Sequence, residues 1–350
     1  MRVMKYITGR YGLGLLAMGC WLFAACSSGG AGDDGMDVPR QGHPLQVVPY
    51  TANYHATDFG MRAVSEGYLP YTPDDGIAIG LYVLENGVVS GTPAVKIVSY
   101  SNNEWHSQAV VETSTNYTIY GYMPMKDPIS SSISKSGDVV TLTFSNISTV
   151  SADDICFITG VKDDTDDLRQ GKFDYTGKAE DNKIYLLLDH LFASVKFNFQ
   201  VDATYKNLRT IKVKSLTLNT TSGTMTATVR LTPNTTDAYP ATVEYTTPAA
   251  GTSSATFFKS TEGVEIPTTT TSFVCCCAPA VTNNLTLVTT YDVYDSKGNL
   301  IRKDCEATNK LPNDLNATRG QQVTLTLTVN PTYLYQLSDP DLDNPMFTIE

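Results

Sequence analysis

Short runs of alternating or continuously apolar residues recur from about residue 45 to the end of the sequence, with turn-forming residues between them. The clearest are Asn116–Met123, Val139–Phe144 and Val323–Val329, in which Val, Thr and Tyr predominate. A period of two puts alternate side chains on opposite faces of a strand, and no window carries the i, i+3, i+4, i+7 spacing of an amphipathic helix. Strands at intervals of roughly 8–12 residues are typical of β-sandwiches. The sequence therefore predicts an all-β chain.

Ten further segments have the same character. Predicted strands are Leu45–Tyr54, Ile77–Leu84, Ile155–Gly160, Ile184–Leu188, Ala193–Val201, Ile211–Asn219, Thr224–Leu231, Thr242–Thr246 and a hairpin of Leu285–Tyr294 with Asn299–Lys303. They extend over most of the 350 residues, and a single core seldom grows beyond about 250–300 residues. We therefore expect two domains in tandem.

The N-terminus has the features of an export signal. Arg2, Lys5 and Arg10 precede an apolar run, Gly12–Ala25, that is too short to span a bilayer. Two alanines then precede Cys26, and a Gly- and Ser-rich stretch follows, as in a bacterial lipobox. We predict cleavage before Cys26 and acylation of that cysteine, which would hold the precursor at the outer membrane. An ordinary cleaved signal with a chance cysteine is the alternative.

These features divide the chain into four predicted parts. Residues 1–25 are assigned to the signal peptide, 26–44 to a flexible tether, 45–188 to an N-terminal β-sandwich and 189–350 to a C-terminal β-sandwich with a terminal strand. The domain boundary is set near Asp189 because an acidic, loop-like stretch has just ended there and a new series of strands begins.

Charge and histidine content argue against two classes of function. The net charge of −11 has no basic stripe to offset it, which makes nucleic acid a poor partner. The four histidines, His43, His55, His106 and His190, belong to no recognisable catalytic motif, and His190 is better explained as a structural residue. We therefore predict no enzymatic activity, no catalytic residue and no cofactor.

Cysteines and carboxylates offer no strong metal signature. Cys156, Cys305 and the triplet Cys275–Cys277 lack CxxC spacing and a neighbouring histidine in sequence, so small buried hydrophobic residues are expected, with a disulfide from the triplet as the alternative. Near the C-terminus, Asp339, Asp341, Asp343 and Glu350 have calcium-loop spacing, but Asn344 stands in place of the required glycine. A solvated tail is the expectation there, and no metal is predicted.

Four segments together resemble the fimbrillins of Bacteroidales, a family of lipoprotein-derived pilins and accessory subunits. They are the lipobox with its tether, Gly60–Val64 (GMRAV) followed by Asp74–Val83, Asp189–Phe197 (DHLFASVKF), and Gly320–Val329 with the tail beyond it. Their order and spacing cover nearly the whole chain and carry the resemblance.

The resemblance implies a fold and an assembly mechanism. Fimbrillins have two transthyretin-like β-sandwiches, and an arginine-specific protease removes their leader together with the first strand. By this resemblance, cleavage between Arg62 and Ala63 would remove Leu45–Tyr54 and open a strand-accepting groove. A strand from the next subunit would fill the groove, giving a head-to-tail polymer. An ordinary loop arginine at Arg62 and cleavage at Arg40 are the alternatives.

The tail contains apolar residues at strand spacing that could serve as the donor. The candidate donor residues are Tyr333, Leu334, Tyr335, Leu337, Phe347 and Ile349. The same residues could instead complete the chain's own second sandwich. The expected function is thus a structural subunit of a surface fimbria that contributes to adhesion, with other fimbrial subunits, the outer membrane and host or bacterial surface ligands as partners. The alternative is a monomeric lipid-anchored glycan-binding protein or adhesin, with Trp105, expected in a loop, as its best aromatic platform.

Overall fold

The structure is a computed structural model, and it describes residues 42–56, 67–73, 76–165, 168, 170–233, 240–279, 281, 284–312, 315, 317–333 and 340–349. Cys26, Arg62 and Ala63 and the candidate donor residues Leu334, Tyr335 and Leu337 lie outside these ranges. Nearly every described element is a strand, so the all-β prediction is confirmed.

The strands are numbered in chain order. They are β1 Gly42–Pro44, β2 Gln46–Ala52, β3 His55–Ala56, β4 Tyr68–Pro70, β5 Ala78–Glu85, β6 Lys96–Ser101, β7 Glu104–Ser107, β8 Val110–Glu112, β9 Asn116–Met123, β10 Ser130–Ser136, β11 Val139–Ser148, β12 Val150–Ser151, β13 Cys156–Lys162, β14 Asp174–Thr176, β15 Lys183–His190, β16 Ala193–Val201, β17 Arg209–Ser222, β18 Thr224–Leu231, β19 Ala241–Tyr245, β20 Ala250–Glu265, β21 Thr271–Cys277, β22 Thr286–Asp295, β23 Leu300–Lys310, β24 Gln321–Tyr333 and β25 Pro340–Ile349.

One helical turn interrupts this pattern. The helix α1 spans Ala203–Lys206, and the side chain of Asp202 caps it by accepting hydrogen bonds from the backbone N–H groups of Thr204 and Tyr205. In the described ranges, no helix has the length and apolar character needed to cross a membrane.

The largest sheet has nine strands. Its order is β4-β2-β15-β13-β9-β5-β6-β7, and β14 also pairs with β9. All of its pairings are antiparallel except that of β2 with β15. Its central strands β5, β9, β13 and β15 are buried at nearly consecutive positions, and Ile79, Leu81 and Ile119 are fully buried. Both faces of these strands are therefore covered.

A second sheet of six strands contains the C-terminal part of the chain. Its order is β12-β21-β16-β24-β25, and β3 pairs with β24. The pairs β16 with β24 and β3 with β24 are parallel. Phe197, Phe199, Leu327 and Val329 alternate along β16 and β24 and are buried. The aromatic rings and branched side chains of this sheet contribute to the same core.

Two four-stranded sheets and a two-stranded pair complete the fold. Their orders are β10-β11-β18-β19, β20-β17-β22-β23 and β1-β8. Pairing of β11 with β18 and of β12 with β21 joins segments from both sides of the predicted domain boundary, and Asp189 itself lies within β15. Strand β1 begins in the last three residues of the predicted tether. The division into two domains stays a prediction.

Two sequence interpretations concerning single elements are corrected. The acidic residues of the tail, expected in a solvated segment, belong to the terminal strand β25, which pairs with β24, and the carboxylate of Asp343 pairs with Arg209 at 2.7 Å. Trp105 and His106 belong to β7, where they form a hairpin with β6, and not to a loop. In both places the sequence lacks strict apolar alternation, so that cross-strand pairing and not periodicity decides the structure.

Candidate functional site

The N-terminal segment, defined here as Gly42–Ala56, is built into the fold. Its three strands β1, β2 and β3 pair with β8, β15 and β24, and β2 also pairs with β4. Leu45 and Val47 lie in the core with exposed fractions of 1% and 4%. Because β2 lies between β15 and β4 and both of its edges are paired, it is an interior strand of the sheet.

The end of β15 brings His190 next to three residues from other elements, and we call Tyr54, Asp154, Cys156 and His190 the His190 cluster. The cross-strand register of β13 and β15 pairs Cys156 with His190, so their side chains meet, with 3.7 Å between Sγ and Nδ1. Asp154, two residues before Cys156, places Oδ2 2.7 Å from the same Nδ1. The cluster therefore follows from strand register and chain connectivity.

Tyr54 connects the N-terminal segment to this cluster. Its ring lies on the imidazole of His190, with 3.6 Å between centroids and 14° between planes. Its hydroxyl donates a hydrogen bond of 2.7 Å to Asp154 and lies 3.5 Å from the sulfur of Cys276. The carbonyl of Ala52 lies 2.6 Å from Nε2 of His190. The N-terminal segment thus covers one side of the cluster.

The two ring nitrogens of His190 both face oxygen acceptors, the Asp154 carboxylate at Nδ1 and the Ala52 carbonyl at Nε2. Burial by itself lowers the pKa of His190, but the charge and hydrogen bond of Asp154, with smaller contributions from Asp189 and Ala52, raise that pKa above its ordinary value. A doubly protonated ring donating to both oxygens fits this geometry.

A buried ion pair lies on the other side of the His190 backbone. Nη1 of Arg319 is 2.9 Å from Oδ2 of Asp189 and donates to the carbonyl of His190 at the same distance. The guanidinium also lies over the ring of Phe157, 5.7 Å from its centroid. Exposed fractions of 11% and 8% for the Arg319 and Asp189 side chains place this pair in the interior. It connects the turn before β24 to the end of β15.

The chemistry of the cluster does not favour covalent catalysis. A catalytic thiol needs a lowered pKa, and burial instead raises the pKa of Cys156 well above its ordinary value, helped by the nearby Asp154 and Asp189 carboxylates. The thiol is therefore protonated and unreactive at neutral pH. Its sulfur lies 3.7 Å from Nδ1 of His190, as a buried structural group.

All five cysteines from Cys156 onward are free and buried. The triplet lies in β21, inside the six-stranded sheet, so both of its faces are covered. Burial raises the pKa of Cys277 to about 12 and also raises the pKa of Cys275 and Cys276. The structure therefore places these thiols as small buried side chains without a disulfide.

The sequence-derived candidate residues that fall in the described ranges lie apart from the His190 cluster. Phe347 is 4% exposed and packs against Tyr291 and Phe199, while Ile349 is half-buried on the same strand β25. Of Tyr333, only the backbone is described, at the end of β24. Trp105 is half-buried and tilted against Tyr100, with 5.0 Å between ring centroids. It covers its own hairpin and offers no open platform.

Sequence reasoning missed most of the His190 cluster. Asp154 is 36 residues from His190, and Ala52 is 138 residues from it. The available signal was the pair Asp189-His190 inside an otherwise apolar stretch, Ile184–Ala193, because charged residues in a buried strand need partners. The identity of those partners could not be inferred without the sheet register.

Comparisons with known proteins identify solved structures to which this chain is similar. No protein-family model and no curated protein sequence matches the chain. Solved structures that match include a putative cell adhesion protein from Bacteroides fragilis, 12% identical over 88% of this chain and 97% of that chain with a TM-score of 0.43. A putative cell adhesion protein from Bacteroides uniformis has 12% identity, coverage of 88% and 98% and a TM-score of 0.39.

A third match is the fimbrial anchor protein Mfa2 from Porphyromonas gingivalis, with 12% identity, coverage of 87% and 97% and a TM-score of 0.23. These three solved structures are thus described as two putative cell adhesion proteins and a fimbrial anchor protein. With identities of 12% and TM-scores below 0.5, the likeness carries no conclusion by itself about what this chain binds or assembles with.

Proposed function

We propose that this protein is a subunit of a surface fimbria, or a fimbrium-associated adhesin, which is exported as a lipoprotein acylated at Cys26. Proteolysis between Arg62 and Ala63 releases it from the membrane and removes the N-terminal segment. A strand from another subunit then takes the place of β2, so that subunits join head to tail at the cell surface.

The observation that carries the proposal is the position of β2. It is an interior strand of the nine-stranded sheet, although it belongs to the part of the chain that precedes Arg62. Its residues Gln46–Thr51 are in parallel register with Lys183–Leu188 of β15. A segment that is removed from a mature protein would ordinarily be peripheral, whereas this one is part of the core.

Loss of β2 would leave a groove with unpaired backbone groups along its edges and an uncovered part of the core. The backbone N–H and C=O groups of β15 that face β2 would lose their partners, and β4, which pairs with β2, would lose its sheet neighbour. Removing Leu45 and Val47 from the core costs about 1.5–3 kcal/mol for each side chain. Such an edge favours capture of an extended peptide whose alternate side chains are apolar.

The candidate donor in the described tail is held in place before any exchange. Strand β25 is the edge strand of its sheet and pairs with β24. Arg209 pairs with Asp343, and the amide of Asn309 donates to the carbonyl of Phe347 at 2.5 Å. Donation of Phe347 and Ile349 therefore requires β25 to leave its own sheet, and an edge position makes this less costly than extraction of an interior strand.

The test uses the full chain with Cys26→Ser, which prevents acylation, and an arginine-specific protease under native conditions. We expect one cut that gives Ala63 as the new N-terminus, followed by a ladder of oligomers in native gels and in size-exclusion chromatography. The matched control is Arg62→Gln, which should abolish both the cut and the oligomers. Arg40→Gln should leave both unchanged, since cleavage there leaves β2 in place.

Three outcomes would contradict the proposal. Resistance of the Arg62–Ala63 bond, or cleavage that gives a stable monomer, would exclude exchange at β2 and favour the alternative of a monomeric glycan-binding adhesin. Oligomers that form equally from the Arg62→Gln chain would show that assembly is independent of processing.

A further inference from the structure

We propose that Asp154, Cys156 and His190 form a binding site for a divalent cation of the zinc class. The proposal concerns the chain before any cleavage at Arg62, because Ala52 and Tyr54, which contact the His190 ring, belong to the N-terminal segment. Within the described part of the chain, these three residues are the group whose carboxylate oxygen, sulfur and ring nitrogen all lie within 4.8 Å of one another.

The ligand set and its spacing suit zinc. Zinc is bound by Cys, His and Asp, with metal–ligand distances of about 2.3 Å to sulfur and about 2.0–2.2 Å to nitrogen and oxygen. These values place the sulfur and nitrogen of a tetrahedral site about 3.6 Å apart. The distance between Sγ of Cys156 and Nδ1 of His190 is 3.7 Å. These two ligand atoms therefore need to move little to bind a zinc ion.

The imidazole is already oriented as a metal ligand. Histidines that bind a metal through one nitrogen usually donate the other N–H to a carbonyl or carboxylate, which fixes the ring. Nε2 of His190 lies 2.6 Å from the carbonyl of Ala52, and Tyr54 packs on the ring face. Nδ1 is therefore directed at Cys156 and Asp154.

The Asp154 carboxylate can move to the distance from His190 that a bound metal ion requires. Its oxygen is 2.7 Å from Nδ1, whereas a tetrahedral ion requires about 3.3 Å between nitrogen and oxygen ligands. Asp154 lies between β12 and β13, outside regular structure, and its side chain is 25% exposed. A movement of about 0.6 Å is therefore available to the carboxylate without disturbing a strand.

The charges of the three ligands and the solvent access of Asp154 also suit a divalent cation. The ion displaces one proton from the Cys156 thiol and one from Nδ1 of His190, so that a thiolate, a carboxylate and a neutral imidazole balance the two positive charges in a buried site. Asp154 also lines a cleft of about 190 Å³ with Met123, Pro124 and Asp153. The cleft gives solvent access to the Asp154 carboxylate, the side from which a water would reach the ion as fourth ligand.

The experiment uses the tag-free, full-length Cys26→Ser chain, stripped with a chelator and titrated with Co²⁺ as a spectroscopic probe for Zn²⁺. We expect a thiolate-to-cobalt charge-transfer band that saturates at one ion per chain and is abolished by an equivalent of Zn²⁺. Calorimetry in buffers of different ionisation enthalpy should show release of at least the Cys156 thiol proton for each ion bound.

Variants assign the signal to the cluster. Cys156→Ser should abolish the band, while Cys275→Ser, which alters a buried thiol outside the cluster, should retain it. Asp154→Asn should weaken binding at least about 10-fold and, because Asp154 is partly exposed, should preserve the far-UV circular dichroism spectrum. This second variant keeps the test valid if Cys156→Ser does not fold.

Three results would overturn the proposal. They are the absence of a charge-transfer band in the folded parent chain, a band that survives Cys156→Ser, and unchanged affinity in Asp154→Asn. Binding without the charge-transfer band would identify an adventitious ion on surface carboxylates only.

Discussion

The ring of Tyr54 lies flat on the imidazole of His190, with 3.6 Å between ring centroids. Tyr54 belongs to the N-terminal segment and His190 to the end of β15, so this contact fastens the segment beyond the ladder of β2. The hydroxyl of Tyr54 donates to Asp154, which in turn contacts Nδ1 of His190. Removal of the segment would therefore disrupt both a strand and a buried polar cluster.

Replacement of Tyr54 by alanine should strongly destabilise the full-length chain. The variant removes a stacked ring and leaves His190 and Asp154 without the covering side chain, and we expect a loss of about 3–5 kcal/mol in the free energy of unfolding. Urea denaturation followed by circular dichroism measures this loss.

Tyr54→Phe is the matched control because it keeps the ring and removes only the hydroxyl. It should cost about 1 kcal/mol, the usual net value of a hydrogen bond. Equal losses in the two variants would show that the hydroxyl, and not ring packing, fastens the segment.

Leu45→Ala should cost about 2–5 kcal/mol, since Leu45 is 1% exposed and the substitution leaves a cavity in the core. Gln46→Ala at the adjoining exposed position should change the free energy of unfolding by no more than about 0.5 kcal/mol. Denaturant titration of both variants and of the parent chain provides the comparison. A small effect of Leu45→Ala would mean that the N-terminal segment can leave without disturbing the core.

Arg319→Met should cost about 3–5 kcal/mol at neutral pH, because it removes the cation that faces the buried Asp189 carboxylate. The double variant Arg319→Met, Asp189→Asn should recover part of this loss, since no buried charge is then left without its opposite. Thermal and denaturant unfolding of the single and double variants measure the coupling. A double variant no more stable than Arg319→Met would contradict an electrostatic origin of the loss in the free energy of unfolding.

Asp295 offers a test of pH dependence. The side chain of Asn299 is the largest cause of a lowered pKa at Asp295, and the backbone N–H groups of Asn299 and Lys297 add to it. Asn299→Ala should therefore raise the pKa of Asp295 towards its ordinary value, as followed by NMR titration of the carboxyl carbon. Lys297→Gln, which removes only the smallest contribution, should shift the pKa less.

The sign of the linkage follows from the direction of the shift. A carboxyl group with a depressed folded-state pKa stabilises the fold above its unfolded-state pKa of about 4, and this contribution is lost as the pH falls through the folded-state pKa. In Asn299→Ala the stability should thus depend less steeply on pH below about 4. An unchanged pKa in Asn299→Ala would exclude the side-chain amide as the cause.

Elements with strong periodicity were predictable from the sequence. Strand β9 has the predicted bounds Asn116–Met123, and the predicted hairpin of Leu285–Tyr294 with Asn299–Lys303 corresponds to β22 and β23. In these segments alternating Val, Thr, Tyr and Leu side chains suit a pleated, half-buried strand. Local pattern and tertiary packing therefore favour the same conformation.

Other elements depend on their neighbours. Strand β20, which extends over 16 residues, has no apolar alternation in its sequence, because Ala250–Glu265 is rich in Ser, Thr and Gly and is mostly exposed. Its long antiparallel pairing with β17 makes it a strand, with irregularities in register that a periodic pattern does not show. Exposed strands of this kind obtain their backbone hydrogen bonds from a partner and little from their own side chains.

The sequence by itself determined the all-β class, most interior strands and the burial of the cysteine triplet, because apolar periodicity is a local property. Only the tertiary structure brought Tyr54, Asp154, Cys156 and His190 together. Their meeting depends on the register of β13 with β15 and on parallel pairing of β2 with β15, which are contacts between distant parts of the chain. A one-residue change in register would turn these side chains to the opposite face of the sheet, and no local pattern specifies that choice.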